Sequence, residues 1–158
     1  MIIREILPQD NLSIKAIITS CFKEYDLPIT GSSLEDIDTK HMYQGFQQSR
    51  AVYYVVEGEG KILGGGGIKQ LLGAGNHICE LQKMYFLKQA RGKALGEKMI
   101  DHCLNYAKEQ GFEMCYLETL PYMKAAQKLY LKKGFEYIDG PMGSTGHTSC
   151  NVWLTKKL

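Results

Sequence analysis

Residues 88–96, Lys-Gln-Ala-Arg-Gly-Lys-Ala-Leu-Gly, set Arg91 and Lys93 among small residues, Gly92, Ala94 and Gly96, that keep side chains away from the backbone. An apolar run, Ile78 to Leu87, leads into this turn, and the amphipathic pattern Met99, Ile100, Cys103, Leu104, Ala107 follows it. The order reads as strand, turn, helix. The first four N–H groups of a helix have no partner within it, and the macrodipole concentrates partial positive charge there. A turn of this composition therefore suits a phosphate or pyrophosphate. The four consecutive glycines Gly64 to Gly67 are a weaker anion signal. No Lys-Ser/Thr follows them and no helix pattern begins there, so neither a P-loop nor a dinucleotide fingerprint is met. They fit a bare strand surface or close backbone packing. His77 with Cys79 and His147 with Cys150 lack the paired spacing of a structural zinc site, and no metal is expected.

The elements around the turn follow from periodicity. Ile2 to Ile6 reads as a short first strand. Asp10 or Ser13 then caps a helix whose buried stripe is Ile14, Ile17, Ile18, Cys21 and Phe22. Ser32 and Glu35 form a capping-box pattern that predicts a second helix to about Phe46. Its apolar stripe is weak, and Asp36, Asp38, His41 and Tyr43 either form a solvated face or reach toward a substrate. Ala51 to Glu57 and Lys61 to Leu71 flank Gly58-Glu59-Gly60 as a hairpin. Beyond the amphipathic helix, Gly111 is placed to end it, Phe112 to Glu118 reads as a strand, and Pro121 sits where the last helix begins. Phe135 to Ile138 and Cys150 to Thr155 are closing strands around a glycine-rich loop, Gly140 to His147, placed to rim a substrate site.

A length of 158 residues at 44% hydrophobic content fits a single domain over residues 1–158. The formal net charge of +2 gives no reason to expect nucleic acid or a membrane as partner. No apolar run reaches the roughly eighteen residues of a membrane span, and the N-terminus lacks a secretory pattern. A cytoplasmic location is the expectation. Five cysteines with no Cys-x-x-Cys pair, most of them in apolar runs, read as reduced core thiols.

Two segments carry a family resemblance. Gln89-Ala90-Arg91-Gly92-Lys93-Ala94 resembles the Gln/Arg-x-x-Gly-x-Gly/Ala signature of the GNAT N-acyltransferase superfamily, between a strand and a helix as that family has it. Ala126 to Phe135, Ala-Gln-Lys-Leu-Tyr-Leu-Lys-Lys-Gly-Phe, resembles its A-x-x-L-Y-x-x-x-G-F segment. With the order of elements, the resemblance spans nearly the whole chain. It implies an α/β fold: a mixed, mostly antiparallel sheet with helices on both faces, splayed between two central strands where coenzyme A lies. The backbone of Met84, Tyr85 and Phe86 would pair with the pantetheine arm, and the pyrophosphate would sit over Arg91, Gly92, Lys93, Ala94, Leu95 and Gly96. Acetyl-CoA is the implied acyl donor. The acceptor is a primary amine of a small molecule or peptide, and a homodimer is compatible with the family.

Acyl transfer to an amine needs the amine neutral. At pH 7 a lysine-like amine costs roughly 4 to 5 kcal/mol to deprotonate, and an α-amino group only about 1 to 1.5. By resemblance, Glu80 is the candidate general base and Tyr130 the donor to the departing thiolate. An ordinary carboxylate is a poor acceptor, so Glu80 must be partly buried, or relay through water, to serve. Otherwise it binds the amine electrostatically or pairs with a lysine, and Tyr130 is a core residue. Met123 stands where the family often has an asparagine, seven residues before the tyrosine. Glu118, Thr119 and Tyr122 either reach substrate or serve the entry of the last helix, and His147 is either a substrate-loop residue or a surface histidine. A different class of reading, a non-catalytic acetyl-CoA sensor or interaction module, fits poorly with the presence of both Glu80 and Tyr130. A Rossmann oxidoreductase lacks its glycine spacing.

Overall fold

Alternation in the strand β2, Val52–Gly58, sends Val52 and Val56 to one side of a sheet and Tyr53 and Val55 to the other. Both sides are buried, so the strand needs cover on each face. In the computed structural model, which describes residues 1–158, helices supply it. The remaining strands are β1 (Ile2–Glu5), β3 (Lys61–Gln70), β4 (Ile78–Phe86), β5 (Met114–Thr119), β6 (Glu136–Ile138) and β7 (Val152–Lys157). They form one sheet in the order β1-β2-β3-β4-β5-β7-β6, antiparallel throughout except for the parallel pair β4 and β5. Helix α1 (Asn11–Glu24) covers one face through Ile14, Ile17, Ile18, Cys21 and Phe22. Helix α4 (Leu95–Glu109) covers the other through Met99, Ile100, Cys103, Leu104 and Ala107. Each fully buried Met, Ile or Leu contributes about 1.5 to 3 kcal/mol. No helix is long and apolar enough to cross a membrane.

The hairpin between β2 and β3 closes through Glu59 and Gly60, both at positive φ, as a two-residue hairpin turn requires. The glycine run within β3 is explained by packing. A Cβ on Gly65 would lie 2.5 Å from the Tyr53 ring and 2.7 Å from the Tyr54 carbonyl, and one on Gly67 2.6 Å from the same ring. At Gly66 the nearest atom is the flexible Met84 side chain, at 3.1 Å. Gly65→Ala and Gly67→Ala should each cost about 1 to 3 kcal/mol through overpacking, and Gly66→Ala less. Urea unfolding midpoints of the three variants check the order.

Two features of β4 open the sheet. Its pairing with β5 runs only through Ile78, Cys79 and Glu80. Beyond that, β5 stays with β7 as far as Thr119, and β4 stays with β3 as far as Phe86. The register with β3 passes from Gln82 opposite Gly67 to Tyr85 opposite Gly65, so Lys83 and Met84 share the place of one residue. Lys83 takes φ 53°, rare for a side chain with a Cβ, and its carbonyl accepts a 2.8 Å hydrogen bond from the buried Tyr53 hydroxyl. A bulge of this kind bends its strand and increases the local twist, which turns the end of β4 away from β5.

Two expected helices differ. Residues 32–46 do not form one helix: two single turns, α2 (Ile37–Lys40) and α3 (Met42–Gly45), are separated by His41 at φ −138°, ψ 61°. Glu35 reaches back to the Gly31 N–H at 2.8 Å, so its carboxylate stabilises a turn before the helical residues. The last helix, α5, spans Lys124–Lys132 and begins after Pro121. At the start of α1, Asp10 occupies the cap position but spends its carboxylate on the Leu7 N–H, 2.8 Å, and on Arg4.

Candidate active site

The gap between β4 and β5 is a cavity of about 520 Å³. Its floor is β4, one wall is the turn before α4, the opposite wall is α5, and the roof comes from the irregular residues 27–33 and 147–150.

At one end lies the turn. Gly92 and Ala94 both adopt left-handed φ, 71° and 56°, with Arg91 extended before them and α4 starting at Leu95. That alternation points successive N–H groups into one concavity. From Gly92 through Glu97 no backbone N–H donates to any acceptor of the protein, and the first helical bond runs from Lys98 to Ala94. The cradle fits a pyrophosphate. A side chain at Gly92 would meet nothing within 4 Å, so the concavity is open at that point. Arg91 lines the same cavity, but its guanidinium makes a paired bond to Glu24 at 2.6 and 2.8 Å and donates Nε–H to the Phe86 carbonyl at 2.9 Å. It clamps the turn to α1 and β4, and its charge toward the cradle is largely neutralised by Glu24.

Midway, Tyr130 projects from α5 into the cavity, with its ring edge-on to Phe135 at 6.0 Å. Burial pushes its phenol up to about 12. Its hydroxyl has no hydrogen-bond partner in the protein, which leaves the proton available to a ligand. Met84, Tyr85 and Phe86 lie beyond the last pair of β4 with β5, on the floor.

The other end is acidic. Glu80 is 6% exposed and takes one hydrogen bond, from Gln82 at 3.1 Å. Burial, followed by the nearby charge of Glu118, pushes its carboxyl up to about 7. Glu118 is half-buried, accepts from the Thr145 hydroxyl at 2.6 Å, and is itself held above the usual carboxylate range by burial. Oxygens of Glu80 and Glu118 and a nitrogen of His147 all lie within 4.8 Å of one another. His147 is tied to Asp36 by contacts of 3.0 Å from Nε2 to each oxygen, and Lys83 reaches Asp36 at 2.5 Å. Burial opposes protonation of His147, but Asp36 outweighs it and raises the imidazole. Burial likewise opposes ionisation of Asp36, and His147 with Lys83 outweighs that and holds the carboxyl low.

A family model described as the acetyltransferase (GNAT) family matches residues 14–135. The chain belongs to the GNAT family. A relative in Escherichia coli K12, carrying the name uncharacterized N-acetyltransferase YjgM, is 42% identical over 99% of this chain and 95% of its own length. Among solved structures, a GNAT-family acetyltransferase of Staphylococcus aureus Mu50 superposes with TM-score 0.87 at 22% identity, covering 99% of this chain and 98% of that one. The PaiA N-acetyltransferase of Thermoplasma acidophilum, solved in complex with coenzyme A, gives 0.76 at 16% identity over 99% and 98%.

Within this GNAT fold, the residues singled out from sequence gather on one cavity: Glu80, Tyr130, the floor of β4, and most of the turn from Arg91 to Gly96. Lys93 is the exception, since it does not line the cavity. Glu118, Thr119, Tyr122 and His147 join them. Asp38 does not, because it pairs with Lys69. His77 is likewise absent from the cavity, and Cys79 is buried in the sheet core. Cys150 departs from the reading of the cysteines as core thiols: it is half-exposed and lines the site, with its thiol pushed up to about 12 by burial. Three partnerships lie beyond sequence reasoning, Arg91 with Glu24, Lys83 with Asp36 and Tyr85 with Ser33, because each joins residues far apart in the chain. A lysine inside an apolar strand run was the one available sign of the bulge.

Proposed function

We propose that the protein is an N-acetyltransferase that moves an acetyl group from acetyl-CoA to a primary amine of a small molecule or peptide. The observation that carries this reading is the arrangement along one cavity of a phosphate-fitting cradle, an unpartnered phenol and a buried carboxyl held near neutral pH. When bound, acetyl-CoA supplies the activated thioester. The N–H groups from Gly92 to Glu97 hold the pyrophosphate, and the free edge of β4 at Met84, Tyr85 and Phe86 receives the amides of the pantetheine arm, in the manner of a strand added to a sheet edge.

Glu80 takes the proton of the acceptor ammonium. Near 7 its carboxyl is far closer to an amine in basicity than an ordinary glutamate, so the transfer from an α-amine is uphill by only about 1 to 1.5 kcal/mol. Tyr130 donates a hydrogen bond to the sulfur as it leaves. Full transfer from a phenol at about 12 to a thiolate near 8.5 would be uphill by roughly 5 kcal/mol. The donor role is therefore hydrogen-bond stabilisation of the developing charge: as the C–S bond breaks and the amide forms, the second proton of the attacking nitrogen passes to the sulfur, so coenzyme A leaves as the thiol and the phenol keeps its own proton.

Release of free coenzyme A over a panel of amines, amino acids and peptides with acetyl-CoA tests the reading. Tight acetyl-CoA binding with no release for any acceptor would support a sensor instead. The cradle has its own test. Gly92→Asp should weaken coenzyme A binding by more than tenfold in calorimetric titration, since a carboxylate there opposes the pyrophosphate. Arg91→Ala should weaken it less, because Glu24 already holds that guanidinium. Unchanged affinity in the aspartate variant removes the cradle from the cofactor site.

A further inference from the structure

We infer that the acceptor carries no carboxylate beside the reacting nitrogen: the site takes an ammonium with uncharged neighbours and rejects free α-amino acids. The inference rests on the N-acetyltransferase reading and narrows its acceptor. Recognition of an α-amino acid needs a cation for its carboxylate, and at the acceptor end both cations are already spent. The Lys83 side chain is 1% exposed and donates to Asp36 and Gln82. His147 Nε2 is shared between both oxygens of Asp36. Glu80 and Glu118 form no salt bridge: their hydrogen-bond partners, Gln82 and Thr145, are neutral, and the His147 nitrogen within 4.8 Å of them belongs to an imidazole already held by Asp36. Of the other cations lining the cavity, Arg91 is paired with Glu24, and Lys124 is exposed to solvent on α5, the wall that carries Tyr130.

An arriving ammonium is attracted by both glutamates. A carboxylate on the adjacent carbon is held within a few bond lengths of the nitrogen, so binding the amine forces it toward the same two groups. Like charges brought together in a half-buried site give rejection that better contacts elsewhere do not repair. The same chemistry has two sources, a free alkylamine or the N-terminus of a peptide, whose α-carbon bears a neutral amide.

Matched acceptors separate these cases: leucine, leucinamide and 3-methylbutylamine, with the corresponding phenylalanine and alanine sets, each assayed with acetyl-CoA and the full chain. The expected result, expressed per unprotonated amine, is a kcat/KM for the better of amine and amide at least about tenfold above that of the acid. The amide leads if the source is a peptide and the amine if it is a small molecule. Leucine is less basic than 3-methylbutylamine, so basicity alone would favour the acid, and a preference for the amine isolates the carboxylate. Glu118→Gln should shrink the ratio of amine to acid by raising the relative rate with the acid. An acid acetylated within tenfold of its amine and amide overturns the inference while leaving the transferase reading standing. No coenzyme A release with any of the acceptors removes the transferase reading, and the inference with it.

Discussion

Glu80→Gln is expected to lower turnover at pH 8 by about 10²- to 10⁴-fold, the usual worth of a positioned general base, and at the same time to raise the melting temperature. The two effects have one cause. A carboxyl that is 6% exposed and sits beside Glu118 keeps its proton to about pH 7, against an ordinary value of 4.5. The folded protein therefore binds more protons than the unfolded chain between these values. The stabilising contribution is complete below pH 4.5 and is lost as pH rises through 7. Above pH 7 the buried charge costs about 3 kcal/mol relative to the acid limit. Glutamine keeps the shape and escapes that cost, so the gain in melting temperature should be large at pH 8 and small at pH 5. In the wild type, log kcat/KM should rise with pH and bend near 7, and that bend should vanish in the variant. Equal activity of the two proteins across pH 6 to 9 would assign the base elsewhere.

Tyr130→Phe is expected to lose about 10²- to 10³-fold in turnover, the worth of one hydrogen-bond donor to a developing charge, with coenzyme A affinity and unfolding midpoint almost retained. The phenylalanine keeps the ring and its edge contact with Phe135, and the deleted hydroxyl has no protein partner to leave behind. The loss should be partial. A thiolate near 8.5 is a tolerable leaving group without help. Acyl donors with more acidic thiols should therefore be less sensitive to the substitution, which a comparison of leaving groups would read directly. Wild-type turnover in the phenylalanine variant would leave Tyr130 as a core residue.

Much of this site was legible because its parts are local. Strand, turn and helix from Ile78 to Glu109 follow from periodicity and small residues, and the N–H cradle follows from the helix start. Glu80 and Tyr130 were reachable through the family resemblance, and burial accounts for the basicity that an ordinary glutamate lacks. What escaped is long-range. The sequence around Ser32 and Glu35 satisfies a capping box, yet Asp36 is drawn to Lys83 and His147, and Thr39 donates to the Ser33 carbonyl, so tertiary bonds replaced the helix. The place of Arg91 in the turn is local, whereas its partner Glu24 arrives at the end of another helix, so the pairing escaped. The glycine run had two readings from sequence, and only the Tyr53 ring beneath it decides between them.

The roof over the acceptor end has a different construction from the floor. Its residues belong to no strand and to no helix longer than one turn, and they are fastened by a few polar links, Ser149 to the Thr30 carbonyl, Thr145 to Glu118, and His147 to Asp36. The floor and walls, which hold the cradle, Glu80 and Tyr130, belong to the sheet and its long helices. The roof is thus built apart from the groups proposed to react, while Glu80 and Glu118 at the acceptor end belong to β4 and β5. On the proposed reading, substitutions in the roof should change which amine is admitted at little cost to folding, so a lineage built on this scaffold could diversify its clientele without re-inventing its reaction.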